Sequence, residues 1–268
     1  GANSGHVRIY NYNGTAWIQI GADIDGEATY DQSGQSVSLS SDGKILAIGA
    51  NNNNNGNGTN SGHVRIYNFN GTSWWQLGAD IDGKATNDYS GQSVSLSSDG
   101  KIVAIGANGN DGSGNASGHV RIHNYNGTDW AQLGEDIEGE AASDQSGQSV
   151  SLSSDGKTVA IGANTNNGSG ENSGHVRIYN YNGTAWTQLG EDIDGKLAGD
   201  QSGQSVSLSS EGKTVAIGSY LNDSNGTDSG HVRIHNYNGT DWIQSGGDIN
   251  GEAAGDQSGW SVSLSSDG

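Results

Sequence analysis

The segment Ser149-Val150-Ser151-Leu152-Ser153 alternates small polar and apolar residues, the period-two signature of a strand with one face buried. It is designated strand A. Asp155-Gly156 follows, a dipeptide suited to a tight hairpin. Thr158-Val159-Ala160-Ile161 alternates again as strand B, and a Gly/Asn/Ser stretch from Asn164 to Ser173 reads as a loop. His175-Val176-Arg177-Ile178-Tyr179-Asn180-Tyr181 is strand C, with Val176 and Ile178 on one face and His175, Arg177 and Tyr179 on the other. Asn182-Gly183 predicts a second hairpin of the type I′ kind, Ala185 to Leu189 is strand D, and an acidic loop from Glu191 to Ser202 leads to the next strand A. No window shows a helical period.

The same unit recurs along the chain. His6, His63, His119, His175 and His231 mark its copies, at spacings of 57, 56, 56 and 56 residues. Four antiparallel strands in a repeat of this length predict a blade of a β-propeller, with A innermost and D outermost. A β-solenoid is the competing architecture, but its coils are usually shorter and lack two hairpins per repeat. The expected fold is therefore all-β: a single domain over residues 1–268, a five-bladed β-propeller of four-stranded antiparallel blades. The chain opens inside one blade and closes after the strand Trp260 to Ser266. A closing blade shared between the two ends would remove an exposed sheet edge, although no strand B is present to join A to C there. A chain that starts without Met or an apolar leader reads as a mature or excised segment.

Strand alternation alone puts the A–B and C–D turns on one side of such a ring. The variable, acidic B–C and D–A loops fall on the other side, the expected binding face.

Composition narrows the partners. With 11 Lys+Arg against 30 Asp+Glu the net charge is −19, which excludes a generic phosphate-backbone binder and disfavours anionic membrane surfaces. No apolar run is long enough to span a bilayer. The chain has no Cys, hence no disulfide and no thiolate metal site.

Three stretches recur through the array: Asp144-Gln145-Ser146-Gly147 before strand A, Ile161-Gly162-Ala163 after strand B, and Gly174-His175-Val176-Arg177-Ile178-Tyr179 as strand C. With these the chain resembles FG-GAP repeats, the units of the integrin α-subunit propeller and of many bacterial and algal surface proteins. It departs from them in three places. The family's Phe-Gly is Ser-Gly at Ser33, Ser90, Ser146, Ser202 and Ser258, and the Pro after Gly-Ala is Asn51, Asn108 or Asn164. The calcium loop that the resemblance implies between strands A and B is reduced to Ser-Asp-Gly, so calcium does not carry over to that turn.

Three constellations could carry chemistry. The D–A loops hold Asp23, Asp25 and Asp31, then Asp80, Asp82 and Asp88, then Asp136, Glu138 and Asp144, then Asp192, Asp194 and Asp200, and finally Asp248 and Asp256. Each set could offer calcium two or three oxygen ligands; alternatively these acids cap turns or pair with the Arg of strand C. Asn13, Asn70, Asn126, Asn182 and Asn238 begin Asn-Gly-Thr glycosylation sequons on exposed hairpins, where Asn-Gly also serves the turn itself. His6 and Arg8 recur on strand C as a ligand-binding pair or as contacts between blades. Trp75 and Trp260 break the one-Trp-per-repeat pattern and could stack on a sugar.

No nucleophile elbow, phosphate loop or His-rich metal cluster is present, and near-identical units argue against a single active site. These observations lead to the expectation of a non-enzymatic, extracellular or cell-surface module for structure or adhesion, a fibre block pairing with other copies of itself or with a surface protein or glycan. A multivalent lectin is the alternative.

Overall fold

The computed structural model describes residues 1–268 as an array of antiparallel blades without helices. No helix is long and apolar enough to cross a membrane. The third complete blade shows the plan: A is Ser149–Leu152, B Thr158–Ala163, C His175–Tyr181 and D Trp186–Gln188, paired in that order. The outer strand is broken. After Gly190, whose φ of 77° takes the left-handed region, the chain bulges and returns as D′, Ile193–Asp194, which pairs with the first two residues of C. The sequence pattern predicts a loop over D′, because a two-residue strand carries no periodicity.

Both turns differ in detail from expectation. Ser153 and Thr158 close a four-residue A–B loop, and Asp155 Oδ1 accepts from Ser153 Oγ and Lys157 N. At the C–D turn Asn182 pairs with Ala185, so the central residues are Gly183 and Thr184 with Gly183 at φ 102°. Gly at the first central position marks type II′, not type I′.

Strands A of successive repeats lie side by side, and Leu39, Leu96, Leu152, Leu208 and Leu264 line one cleft between them. Strand A is therefore innermost. Neighbouring blades are joined from the inner to the outer edge by side-chain bonds to backbone. Between the second and third complete blades, Ser93 Oγ donates to the Gly147 carbonyl (2.8 Å) and Ser95 Oγ accepts from Leu152 N (3.0 Å). Further out, Arg177 Nη2 donates to the Glu138 carbonyl (2.7 Å) and Trp186 Nε1 to the Leu133 carbonyl (2.8 Å). Gly106 permits the closest approach, since a Cβ there would collide with the Gly147 carbonyl. Between these bonds Ala104, Val120, Ile122, Val150, Leu152, Val159 and Ile161 form the apolar core of the junction. Burying such an aliphatic side chain stabilises by about 1.5–3 kcal/mol.

The array comprises four complete blades (residues 36–82, 93–138, 149–194 and 205–250), and the expected five-bladed closed ring is not formed. The N-terminal strands pair only with one another: His6–Val7 with Ile24–Asp25, and Tyr10–Tyr12 with Trp17–Gln19. Residues 261–264 adopt no strand, and Val37 and Leu39 are half exposed where Val150 and Leu152 are buried. The physical reason is the one the strand order implies: A and C meet in a blade only through B, and the two ends offer an A and a C without one.

Trp186→Phe removes one N–H···O=C bond while keeping most of the packing. It is expected to cost about 1–2 kcal/mol, read as a lower urea midpoint; an unchanged midpoint would show that the indole N–H does not hold the blades together.

Candidate functional site

The D–A and B–C loops meet on one side, as strand alternation requires: Gly118 and Ser146 form a bridge, and Asn110 Nδ2 donates to Asp88 Oδ1 at 3.1 Å. The acids of the D–A loops divide into three kinds. Asp31, Asp88, Asp144, Asp200 and Asp256 cap turns, each accepting backbone N–H groups through Oδ2. Asp25, Asp82, Glu138 and Asp194 lie on D′ and give their backbone carbonyls to the Arg of the next blade. Asp23, Asp80, Asp136, Asp192 and Asp248 accept from the Gln of strand D, and the last four face a histidine.

The grouping expected from sequence is thus divided. The downstream Asp leaves each set to cap a turn, and in the last four sets the His of strand C takes its place. Three clusters have ligand atoms within 4.8 Å of one another: Glu27, His63 and Asp80; His119, Asp136 and Glu138; Glu140, His175 and Asp192. One imidazole and two carboxylates fall short of the six to eight oxygens that calcium takes. The A–B turn does not fit calcium either, because it supplies a single Asp42 whose Oδ1 is already engaged by Ser40 Oγ and Lys44 N. Glu27 and Glu140 went unnoticed in the sequence, where nothing marks the residue after the D′ glycine.

The cluster of the second complete blade has the most distinctive chemistry. Lys84 Nζ, from the preceding blade, lies 2.6 Å from Asp136 Oδ2, and His119 Nδ1 faces the same oxygen at 3.5 Å. Burial pushes the Glu138 carboxyl above its ordinary range, and the neighbouring Asp136 adds to the effect. Burial also raises Asp136, but hydrogen bonds from Lys84 and Gln132 outweigh it and hold that carboxyl below its usual value. Two carboxyls in one site are thereby driven apart, the arrangement by which one can act as base while the other stays ionised. Glu138 Oε2 is buried without a hydrogen-bond partner. Glu138 is also the sole Glu at a position that is otherwise Asp or Asn, in a row Asp25, Asp82, Asp194 and Asn250. Beside it a cleft of about 290 Å³ is lined by Glu135, Asp136, Glu138, Tyr179 and Trp186.

The remaining candidates are scattered. His6 is exposed, and Arg8 Nε pairs with Asp23 Oδ2 at 3.2 Å. Asn13, Asn70, Asn126, Asn182 and Asn238 sit on exposed hairpins, where Oδ1 of each accepts backbone N–H groups of its own turn. Trp75 is exposed on strand D. Trp260 meets Tyr220 edge-on, centroids 4.7 Å apart, at the junction position where Asn164 donates to Gln204. This paired exchange of two amides for two aromatics is visible in the sequence only once the register is known.

A family model described as FG-GAP repeat matches residues 23–67, 138–179 and 194–234. Three segments of the chain thus match FG-GAP repeats. Comparison with curated proteins finds no match. Among solved structures, the periplasmic gluconolactonase of Pseudomonas aeruginosa superposes with a TM-score of 0.59 at 16% identity, over 92% of this chain and 65% of that one. A candidate 6-phosphogluconolactonase from Bacteroides uniformis gives a TM-score of 0.44 at 13% identity, over 88% and 80% of the two chains. The chain therefore spans a little under two thirds of the gluconolactonase. At that identity the likeness establishes a shared propeller fold.

It also corrects an expectation. The non-enzymatic structural or adhesive module, with the lectin as its alternative, was inferred from near-identical repeats. The gluconolactonase match overturns that inference, because this architecture accommodates an active site.

The histidines give the array a pH response. Burial lowers His119, His123, His175 and His235 from 6.5 to about 4. Unfolded, these imidazoles take up protons near pH 6.5; folded, they resist to about 4. Their contribution to stability is complete above pH 6.5 and lost as the pH falls through 4. The raised carboxyls Asp82, Glu138, Glu140 and Asp194 act in the opposite sense. Exchanging His123 and His235 for Tyr, the residue other blades carry there, is expected to flatten the fall in urea midpoint between pH 6.5 and 4. A slope equal to wild type would refute the assignment.

Proposed function

We propose that the chain forms the catalytic propeller of a hydrolase acting on sugar lactones. One observation carries the reading: Glu138, a carboxyl raised by burial and unique at its position in the repeat, lines a cleft together with Asp136, the carboxylate that pairs with Lys84. The fold shared with a periplasmic gluconolactonase supports it and favours action outside the cytoplasm.

Glu138 removes a proton from water as the water oxygen bonds to the lactone carbonyl carbon. The oxyanion that develops is stabilised by the Lys84 ammonium, which is held at the Asp136 carboxylate. As the ring C–O bond breaks, Glu138 returns the proton to the departing ring oxygen, and the product is a hydroxy acid. His119 and His123 stay neutral at neutral pH and add no positive charge that would lower Glu138. Tyr179 and Trp186 offer apolar ring faces against which a sugar ring can lie. The cleft is at the small end of the range for ligand sites, about 300–1,000 Å³, which suits a single ring.

The test is hydrolysis of glucono-1,5-lactone by the purified chain, corrected for the spontaneous rate. Glu138→Gln should lower kcat/KM by at least about a hundredfold, the usual contribution of a general base. The acid limb of the wild-type profile should lie above pH 4.5, since burial raises Glu138. No rate above the spontaneous one, or a Glu138→Gln variant as active as wild type, would sink the reading.

A further inference from the structure

The residue after each D′ glycine alternates along the array: Glu27, Lys84, Glu140, Lys196. Each faces the His and Arg of the next blade. The third strand C position alternates in step, Tyr67, His123, Tyr179, His235. The junctions between blades are therefore of two chemical kinds, arranged in turn.

We propose that the two Glu-bearing junctions, Glu27–His63–Asp80 and Glu140–His175–Asp192, bind divalent transition-metal cations, while Lys84 and Lys196 fill the equivalent space in the other two. At a Glu junction the three donors already converge within 4.8 Å. His175, 1% exposed, has Nδ1 at 3.5 Å from Asp192 Oδ2 and 3.9 Å from Glu140 Oε2. These distances exceed that of a well-formed N–H···O bond, so a buried imidazole is aimed between two carboxylates without bonding either. His63, 2% exposed, faces Asp80 Oδ2 at 3.5 Å in the same way. Arg65 and Arg177 lie at the other carboxylate oxygen, 3.4 Å from Glu27 Oε1 and 3.6 Å from Glu140 Oε1, so they leave the inner oxygen free.

At a Lys junction the ammonium stands where the cation would. Lys84 Nζ is 2.6 Å from the Asp136 oxygen that faces His119, and Lys196 Nζ is 2.7 Å from the Asp248 oxygen that faces His231. Glu, Asp and Arg sum to one negative charge, whereas Lys, Asp and Arg sum to one positive charge. A cation is attracted to the first set and repelled by the second. His175 is lowered to about 4 by burial, so its lone pair is available at neutral pH. One imidazole nitrogen with two carboxylate oxygens is a borderline donor set suited to zinc-like ions, with water completing the shell on the exposed side. This proposal does not rest on lactone hydrolysis, whose base is Glu138 and not Glu27 or Glu140.

The test is titration of the untagged, chelator-stripped chain with Zn²⁺ alone, followed by calorimetry. Wild type should take two equivalents, Glu140→Gln one, and the Glu27→Gln/Glu140→Gln double variant none. Lys84→Glu with Lys196→Glu should add sites towards four, a gain that general loss of structure cannot imitate. Zero equivalents in wild type, a stoichiometry unchanged by Glu140→Gln, or no gain in the Lys→Glu variant would each overturn the proposal. The Glu138→Gln variant should still bind two, which separates this site from the hydrolytic one.

Discussion

The array depends on side chains of one blade bonding to the backbone of the next. A sheet satisfies its own ladder but cannot satisfy carbonyls at its bulged outer edge, and a buried carbonyl without a partner is costly. Arg177 reaches the Glu138 carbonyl on D′ and Trp186 reaches the Leu133 carbonyl where D breaks. Near the axis, where only small side chains fit, Ser93 donates to the Gly147 carbonyl and Ser95 accepts from the Leu152 N–H. Every internal repeat must act as donor on one side and acceptor on the other. That double duty fixes most positions and accounts for the near-identity of the units without reference to any ligand.

Variation is then confined to positions that the bonding scheme leaves free, and these are where chemistry can differ. Position 138 is one: its backbone carbonyl must accept from Arg177, but its side chain is unconstrained, and here alone the row reads Glu. The residue after the D′ glycine is another. Tyr220 and Trp260 are a third, exchanging an amide–amide bond for an edge-to-face aromatic contact at one junction. Near-identical repeats are thus compatible with sites that occur once.

Strands A to D and the two loop faces were legible because period-two alternation and Gly-containing turns are local signals. So was the capping role of Asp31 and its counterparts, offered as one of two readings. The clusters were not legible. Alternation on strand C marks His175, Arg177 and Tyr179 as the polar face, which in a lone sheet would be solvated. In a propeller both faces are covered, and His175 ends 1% exposed. Its partner Asp192 arrives through the broken strand D, and Glu140 through the blade before, neither spacing being fixed by a local rule. Ring closure is a different case: A and C pair only through a strand B, and its absence between the two ends is itself visible in the sequence.

A face this acidic would treat the two ends of the proposed reaction unequally. A sugar lactone is neutral and feels little of the field from a chain of net charge −19, whereas the hydroxy acid formed from it is an anion. Repulsion from clustered carboxylates would not slow entry but would hasten exit, and it would weaken as salt shortens the screening length to about 8 Å at physiological strength. The Lys junctions matter in this respect. Lys84 supplies positive charge within the cluster, where an oxyanion develops, while the surrounding loops remain negative. Local attraction for the transition state and longer-range repulsion of the product can coexist because the first acts over one contact and the second over the whole face.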